Sequence, residues 1–228
     1  MAGPGHKLIV HFMRHAAVSL EVLYQFSSSQ YRDILTYILQ PLHKINQETD
    51  ITIRDPGLSP KGEQQCEEFC DAFEGQAKYI NYVFASPMTR TLQTACYAFK
   101  EVIIPVIAMP QLQNLDSGPN GSGLDRDELV NRYNGKDLDK GKFGLPQGWV
   151  DTCLIPKDWN LKETGQWSAD EVQGRLDHMR GFLQAIWLAH SFGKHRVEVV
   201  IVTHGSFLQK LVKDGTPLLP KINAYAEI

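Results

Sequence analysis

No stretch of the 228-residue sequence approaches the roughly 20 consecutive apolar residues that carry a helix across a bilayer, so a membrane-spanning helix is excluded. Neither Lys nor Arg forms a long run, and the formal net charge is -3. A nucleic-acid or acidic-membrane partner is therefore not expected. Cysteine is scarce, with only 4 in the chain, and Cys66 and Cys70 sit four apart on one helical face. That spacing is not a zinc pair, and no histidine couple completes one. Buried free thiols are expected, with no metal. The apolar segment that follows Met1 to Lys7 is too short and interrupted for a signal peptide, so the expected compartment is the reducing cytoplasm. Internal repeats and low-complexity tracts are missing too. With 43% hydrophobic and 21% charged residues, the chain reads as an ordinary globular protein, long enough to bury a core without staples.

Short apolar runs alternate with helical patterns along the chain. Lys7 to Met13, Tyr82 to Ala85, Val102 to Met109 and Arg196 to Thr203 read as strands, the third broken or pushed to an edge by Pro105. Residues 50–54 read as loop or a short edge. A helix starts at Ser59-Pro60, because Ser59 can cap and Pro60 suits the first helical position. Cys66, Phe69, Cys70 and Phe73 then mark its apolar face. Further helices are expected over 89–100, near 125–133, over 168–189 and over 206–213. Residues 111–165 are rich in Gly, Pro, Asn and Asp, and read as a lid or insertion within one domain spanning 1–228. This alternation predicts a three-layer α/β/α fold around a mostly parallel sheet. Ligands in such sheets sit beyond the carboxyl ends of the strands. Three of those ends carry Arg14-His15, Ser86-Pro87 and His204-Gly205, which groups two histidines with nearby arginines.

Such a group suits phosphoryl transfer. A neutral imidazole can attack phosphorus, guanidinium forks grip phosphoryl oxygens in pairs, and an acid must protonate the leaving oxygen. Four blocks make the resemblance specific. Phe12-Met13-Arg14-His15-Ala16 is similar to an Arg-His-Gly signature. Asp55-Pro56-Gly57-Leu58-Ser59-Pro60-Lys61-Gly62 is similar to an Asp-Pro-x-Leu-Thr-x-x-Gly segment. Ser86-Pro87-Met88-Thr89-Arg90-Thr91-Leu92-Gln93-Thr94-Ala95 is similar to a Ser-Pro-x-x-Arg-x-x-Gln-Thr-Ala block. Val202-Thr203-His204-Gly205 is similar to a Thr-His-Gly block. In this order the four resemble the histidine phosphatase (phosphoglycerate-mutase-like) superfamily, in its fungal-type branch. The resemblance implies that His15 becomes phosphohistidine and that Arg14, Arg90 and His204 hold the phosphoryl oxygens. His6, His11, His43, His178, His190 and His195 have no such motif and read as surface or core residues. Trp149, Trp159 and Trp167 read as core residues or as lining of a substrate pocket.

Two positions depart from the family pattern. The resemblance implies an amide six or seven residues after the catalytic histidine, where this chain has Glu21 at the sixth position. It also implies a glutamate as proton donor where Asn114 stands, and an amide cannot protonate a leaving group. Carboxylate and amide look exchanged, which makes Glu21 the expected acid, with Asp116 as the alternative. Asn114 and Ser206 join Arg14 and Arg90 as expected substrate-binding residues. The function expected is metal-independent hydrolysis of a small-molecule phosphomonoester without a cofactor. A second reading is a repurposed pocket that performs acid–base chemistry, such as cyclisation, dehydration or C–C bond chemistry, on a small organic or secondary metabolite. A third is a protein that only binds. The sequence does not give the oligomeric state.

Overall fold

The computed structural model describes residues 7–15, 23–26, 34–39, 52–116, 118–134, 148–161, 168–190 and 196–213. Among the described residues seven strands form one sheet: β1 (Lys7–Arg14), β2 (Leu23–Phe26), β3 (Ile34–Leu39), β4 (Ile80–Ala85), β5 (Val106–Ala108), β6 (Val150–Asp151) and β7 (Arg196–Thr203). Their order across the sheet is β2-β3-β1-β7-β4-β5-β6. The β2–β3 pair is antiparallel, and every other neighbouring pair is parallel. Among the described residues five helices accompany it: α1 (Pro60–Ala77), α2 (Thr89–Ala98), α3 (Arg126–Asn134), α4 (Ala169–His190) and α5 (Gly205–Lys213). The chain is thus a three-layer α/β protein with a mostly parallel sheet.

The strand patterns explain the layers. Alternate residues of a strand face opposite sides of the sheet. In β7, Val197, Val199 and Ile201 pack with Val172, Leu176, Met179 and Leu183 of α4 and with Phe207 and Leu211 of α5. Val200 and Val202 face the other way, onto Cys66 and Phe69 of α1 and Leu92, Ala95 and Cys96 of α2. Each such aliphatic side chain, fully buried, contributes about 1.5–3 kcal/mol. β7 reads as a continuous apolar run because both of its faces are covered. The buried charge in β7 is Glu198, which meets His11 Nε2 at 2.8 Å and Arg196 at 2.5 Å.

Several local elements follow their sequence signals. Ser59 caps α1 by accepting from the Gly62 N–H at 3.2 Å, with Pro60 in the first turn. The third strand is shorter than its apolar run suggests. Pro105 supplies no N–H, and 102–105 turns instead, with Val102 N–H bonded to Phe99 O and Ile104 N–H to Val102 O. Only Val106–Ala108 joins the sheet. Cys66, Cys70 and Cys96 are buried and Cys153 is exposed, all as free thiols. Burial pushes the Cys66 and Cys96 thiols up to about 12, so both are inert at neutral pH. Among the described residues no helix is long and apolar enough to cross a membrane, and no group of His, Cys, Asp or Glu could hold a metal ion.

Candidate active site

β1, β7 and β4 lie side by side, and their register aligns Arg14 with Thr203 and Ala85 with Val202. The residue just beyond each strand therefore lands on one edge. These residues are His15, His204 and Ser86. Backbone bonds fix the alignment: His15 N–H donates to Thr203 O at 2.9 Å, and Ser86 N–H to Val202 O at 3.0 Å.

Arg90, in the first turn of α2, joins the two histidines. Its Nε donates to His15 Nε2 at 3.3 Å. One terminal nitrogen lies 3.4 Å from His204 Nδ1, and the other donates to the Asn120 carbonyl at 2.9 Å. The imidazole rings stand 5.0 Å apart, centre to centre. His15, Arg90 and His204 are all buried. Since a guanidinium only donates, His15 Nε2 faces it with its lone pair. Burial, then the charges of Arg90 and Arg14, hold the His15 pKa well below 6.5. The imidazole is therefore neutral at physiological pH, with a nucleophilic nitrogen among cations. Burial also lowers Arg90, to about 10, although Asp55 and Asp116 push it upward. It remains a cation at neutral pH.

Arg14 ends β1 beside the same edge, and burial lowers its pKa. Its side chain passes Gly205, where a Cβ would stand 3.2 Å from Arg14 Cδ and Nε. The glycine after His204 thus makes room for the arginine before His15. Arg14 Nε is buried with no hydrogen-bond partner among the described residues. It can donate to a bound oxygen.

Asp55 is a supporting residue to which the sequence reading gave no role. α2 has no side-chain cap from Met88. Asp55 supplies the missing acceptor, taking the Thr89 N–H at 2.9 Å, the Thr89 hydroxyl at 2.8 Å and the Leu124 N–H at 3.2 Å. A carboxylate there also suits the positive end of the helix. Its N–H reaches Pro119 O at 3.3 Å, so Asp55 and Arg90 together grip the 119–124 segment. Gln93 fixes the neighbouring residues by accepting the Leu58 N–H at 2.6 Å. The contacts to Thr89 and Gln93 join residues 34 and 35 apart and that to Leu124 residues 69 apart, and only the Asp-Pro and Gln-Thr motif blocks hinted at them.

The remaining predicted site residues are distributed as follows. Asn114 Oδ1 accepts the Ser206 hydroxyl at 3.1 Å, at the start of α5 and beside the pocket edge. Asp116 is exposed, accepts the Gly118 N–H at 3.0 Å and lies within electrostatic reach of Arg90. Glu21 lies outside the described residues, as does Trp167. Trp159 is buried in the core cluster on the α1–α2 face, and Trp149 packs against it.

Comparisons with known proteins follow the same direction. A family model described as histidine phosphatase superfamily, branch 1, matches residues 46–218. That span begins after β1, so Arg14 and His15 join the group through sheet register rather than through the match. No curated protein matches in sequence. One similar solved structure is the product of an open reading frame of Mycobacterium tuberculosis. It has a TM-score of 0.43 and 19% identity over 93% of this chain and 82% of that one. Another is a mutant phosphoserine phosphatase from Entamoeba histolytica in complex with phosphoserine, with a TM-score of 0.39 and 16% identity over 87% of this chain and 74% of that one. On the family match, which spans more than half of its length, the chain belongs to the histidine phosphatase superfamily and is an enzyme of that phosphatase-type group.

Proposed function

We propose that this enzyme hydrolyses a small phosphomonoester through a phosphohistidine on His15, without a metal or cofactor. The observation that carries this reading is the Arg90 fork, which holds His15 Nε2 as an unprotonated acceptor at 3.3 Å. Arg14, Arg90 and His204 bind the phosphoryl oxygens. His15 Nε2 attacks phosphorus and the P–O ester bond breaks. An acid donates its proton to the leaving oxygen. Water then attacks phosphorus as the same acid, now a base, takes the water proton. The P–N bond breaks and inorganic phosphate leaves.

The acid is not Asn114, whose amide has no proton of suitable acidity. Glu21 fills the role from its place after His15, with Asp116, an exposed carboxylate that acts on Arg90 after Asp55, as the alternative. The four motif blocks, in their order, support membership of the fungal-type branch, from whose pattern Asn114 departs. Within the expected lid, 111–165, the 119–124 part supports this role by touching Arg90 and Asp55, whereas Val150–Asp151 belongs to the sheet and 117, 135–147 and 162–165 lie outside the described residues. The enzyme works in the cytoplasm.

Asn114 also favours a second reading, a pocket repurposed for acid–base chemistry on a small organic or secondary metabolite. A screen of phosphomonoesters at acid and neutral pH separates the two. Hydrolysis is expected, and Glu21→Gln should slow poor leaving groups far more than p-nitrophenyl phosphate. The same selective loss in Asp116→Asn instead would move the acid to Asp116. Folded wild-type protein that turns over no ester would leave the repurposed pocket as the better account.

A further inference from the structure

Ser86 lies outside the group that holds the phosphoryl oxygens in the reading above, yet it contacts one member directly. Its side chain is fully buried. Oγ lies 2.9 Å from His204 Nε2 and accepts a longer bond from the Met88 N–H at 3.4 Å. The other nitrogen of His204, Nδ1, lies 3.4 Å from a terminal nitrogen of Arg90. A guanidinium nitrogen is only a donor, so Nδ1 accepts. Neutral His204 therefore carries its proton on Nε2 and donates it to Ser86.

A phosphoryl oxygen placed between Arg90 and His204 reverses this demand. The oxygen is an acceptor, so Nδ1 must now donate. His204 can meet that demand by gaining a second proton, or by carrying its single proton on Nδ1 instead. The charges around the ring decide between these. Arg90 faces it from α2 and Arg14, from β1, passes the next residue, Gly205, while the His15 ring, 5.0 Å away, is neutral. Asp55 and Asp116 act on Arg90. Two guanidinium groups already balance a phosphoryl dianion. A third buried cation would add repulsion and desolvation, and a change of tautomer adds neither. It requires only that Nε2 find a donor where it had an acceptor, and a rotating hydroxyl supplies both.

Resting on the reading of this pocket as a phosphoryl site, we propose that Ser86 is a positioning residue that reverses its hydrogen bond when the anion binds. It turns His204 from an acceptor for Arg90 into a neutral Nδ1–H donor to the phosphoryl oxygen. The proton count balances: Nε2 loses a proton, Nδ1 gains one, and the Ser86 O–H turns toward Nε2. No net proton is taken from solvent.

The test is 15N spectroscopy of the full chain labelled at histidine, titrated with inorganic sulfate, which stays a dianion across the neutral range. His204→Gln assigns the signals. In the free protein, Nε2 of His204 should carry the proton. At saturation the proton should be on Nδ1, with Nε2 unprotonated. Ser86→Thr, which keeps a hydroxyl, should preserve the exchange. Ser86→Ala should weaken sulfate binding roughly tenfold, because a buried ring nitrogen loses its partner. Protonation of both His204 nitrogens in the complex would overturn the proposal, as would an unchanged exchange and affinity in Ser86→Ala. The wild-type spectra decide the tautomer even if Ser86→Ala does not fold. Sulfate that shifts neither His15 nor His204 would remove the phosphoryl-site reading itself, a separate result from binding without the exchange.

Discussion

The depressed pKa of His15 makes folding stability sensitive to pH in a direction that can be worked out. Burial and the charges of Arg90 and Arg14 keep the folded imidazole neutral well below 6.5, and an unfolded histidine titrates near 6.5. Below pH 6.5 the unfolded chain binds a proton that the folded chain refuses. Acid therefore favours unfolding, and the penalty grows until pH reaches the folded pKa. For a histidine that stays neutral when folded, the penalty at pH 5.5 is about 1.4 kcal/mol, against nearly nothing at pH 7.5. His15→Asn keeps a neutral polar group and cannot titrate. Urea unfolding of both proteins should show the variant gaining about 1.4 kcal/mol on the wild type between pH 7.5 and 5.5. Every other titrating group is common to both proteins and cancels in the difference. A stability difference that does not change with pH would mean that His15 protonates as readily folded as unfolded, and would refute the account of a neutral nucleophile.

Arg90→Lys keeps the charge and loses the fork that reaches His15, His204 and Asn120. It should lower kcat/KM for p-nitrophenyl phosphate by about 100-fold to 1,000-fold, and steady-state kinetics checks this. Gly123→Ala would place a Cβ 2.5 Å from Cζ2 of buried Trp159 and should cost about 3 kcal/mol. Gly174→Ala, on the exposed face of α4 with nothing within 4 Å, should add about 0.5–1 kcal/mol. Opposite shifts in Tm should separate these two glycines.

The parts of the fold legible in the sequence were those coded locally. Ser59-Pro60 announces α1, and the apolar run of 196–203 announces a strand covered on both faces. His15, Ser86 and His204 stand one residue past their strands, so the rule that ligands bind at carboxyl ends brought two of them into one expected site. The antiparallel pair of β2 and β3 gave no such signal. β6 is only two residues long and exists because the Val106 N–H meets Trp149 O, a pairing that no local pattern encodes. The role of Asp55 was hidden for a similar reason. Its partners are Thr89 and Leu124, and only the folded chain shows that α2 lacks a cap of its own. Asn114 was legible as a departure from the family pattern. Its contact with Ser206 joins two segments whose distance along the chain carries no pairing rule.

The central claim is that His15 Nε2 forms a bond to phosphorus, and chemical trapping tests it most directly. The enzyme is mixed with a 32P-labelled phosphomonoester, quenched in alkali within its first turnovers, and separated from free label. The account predicts protein-bound phosphate that survives alkali, is released by acid, and is missing from His15→Ala. Turnover of the ester by folded wild-type protein with no labelled protein at any quench time, or equal labelling of His15→Ala, would contradict it.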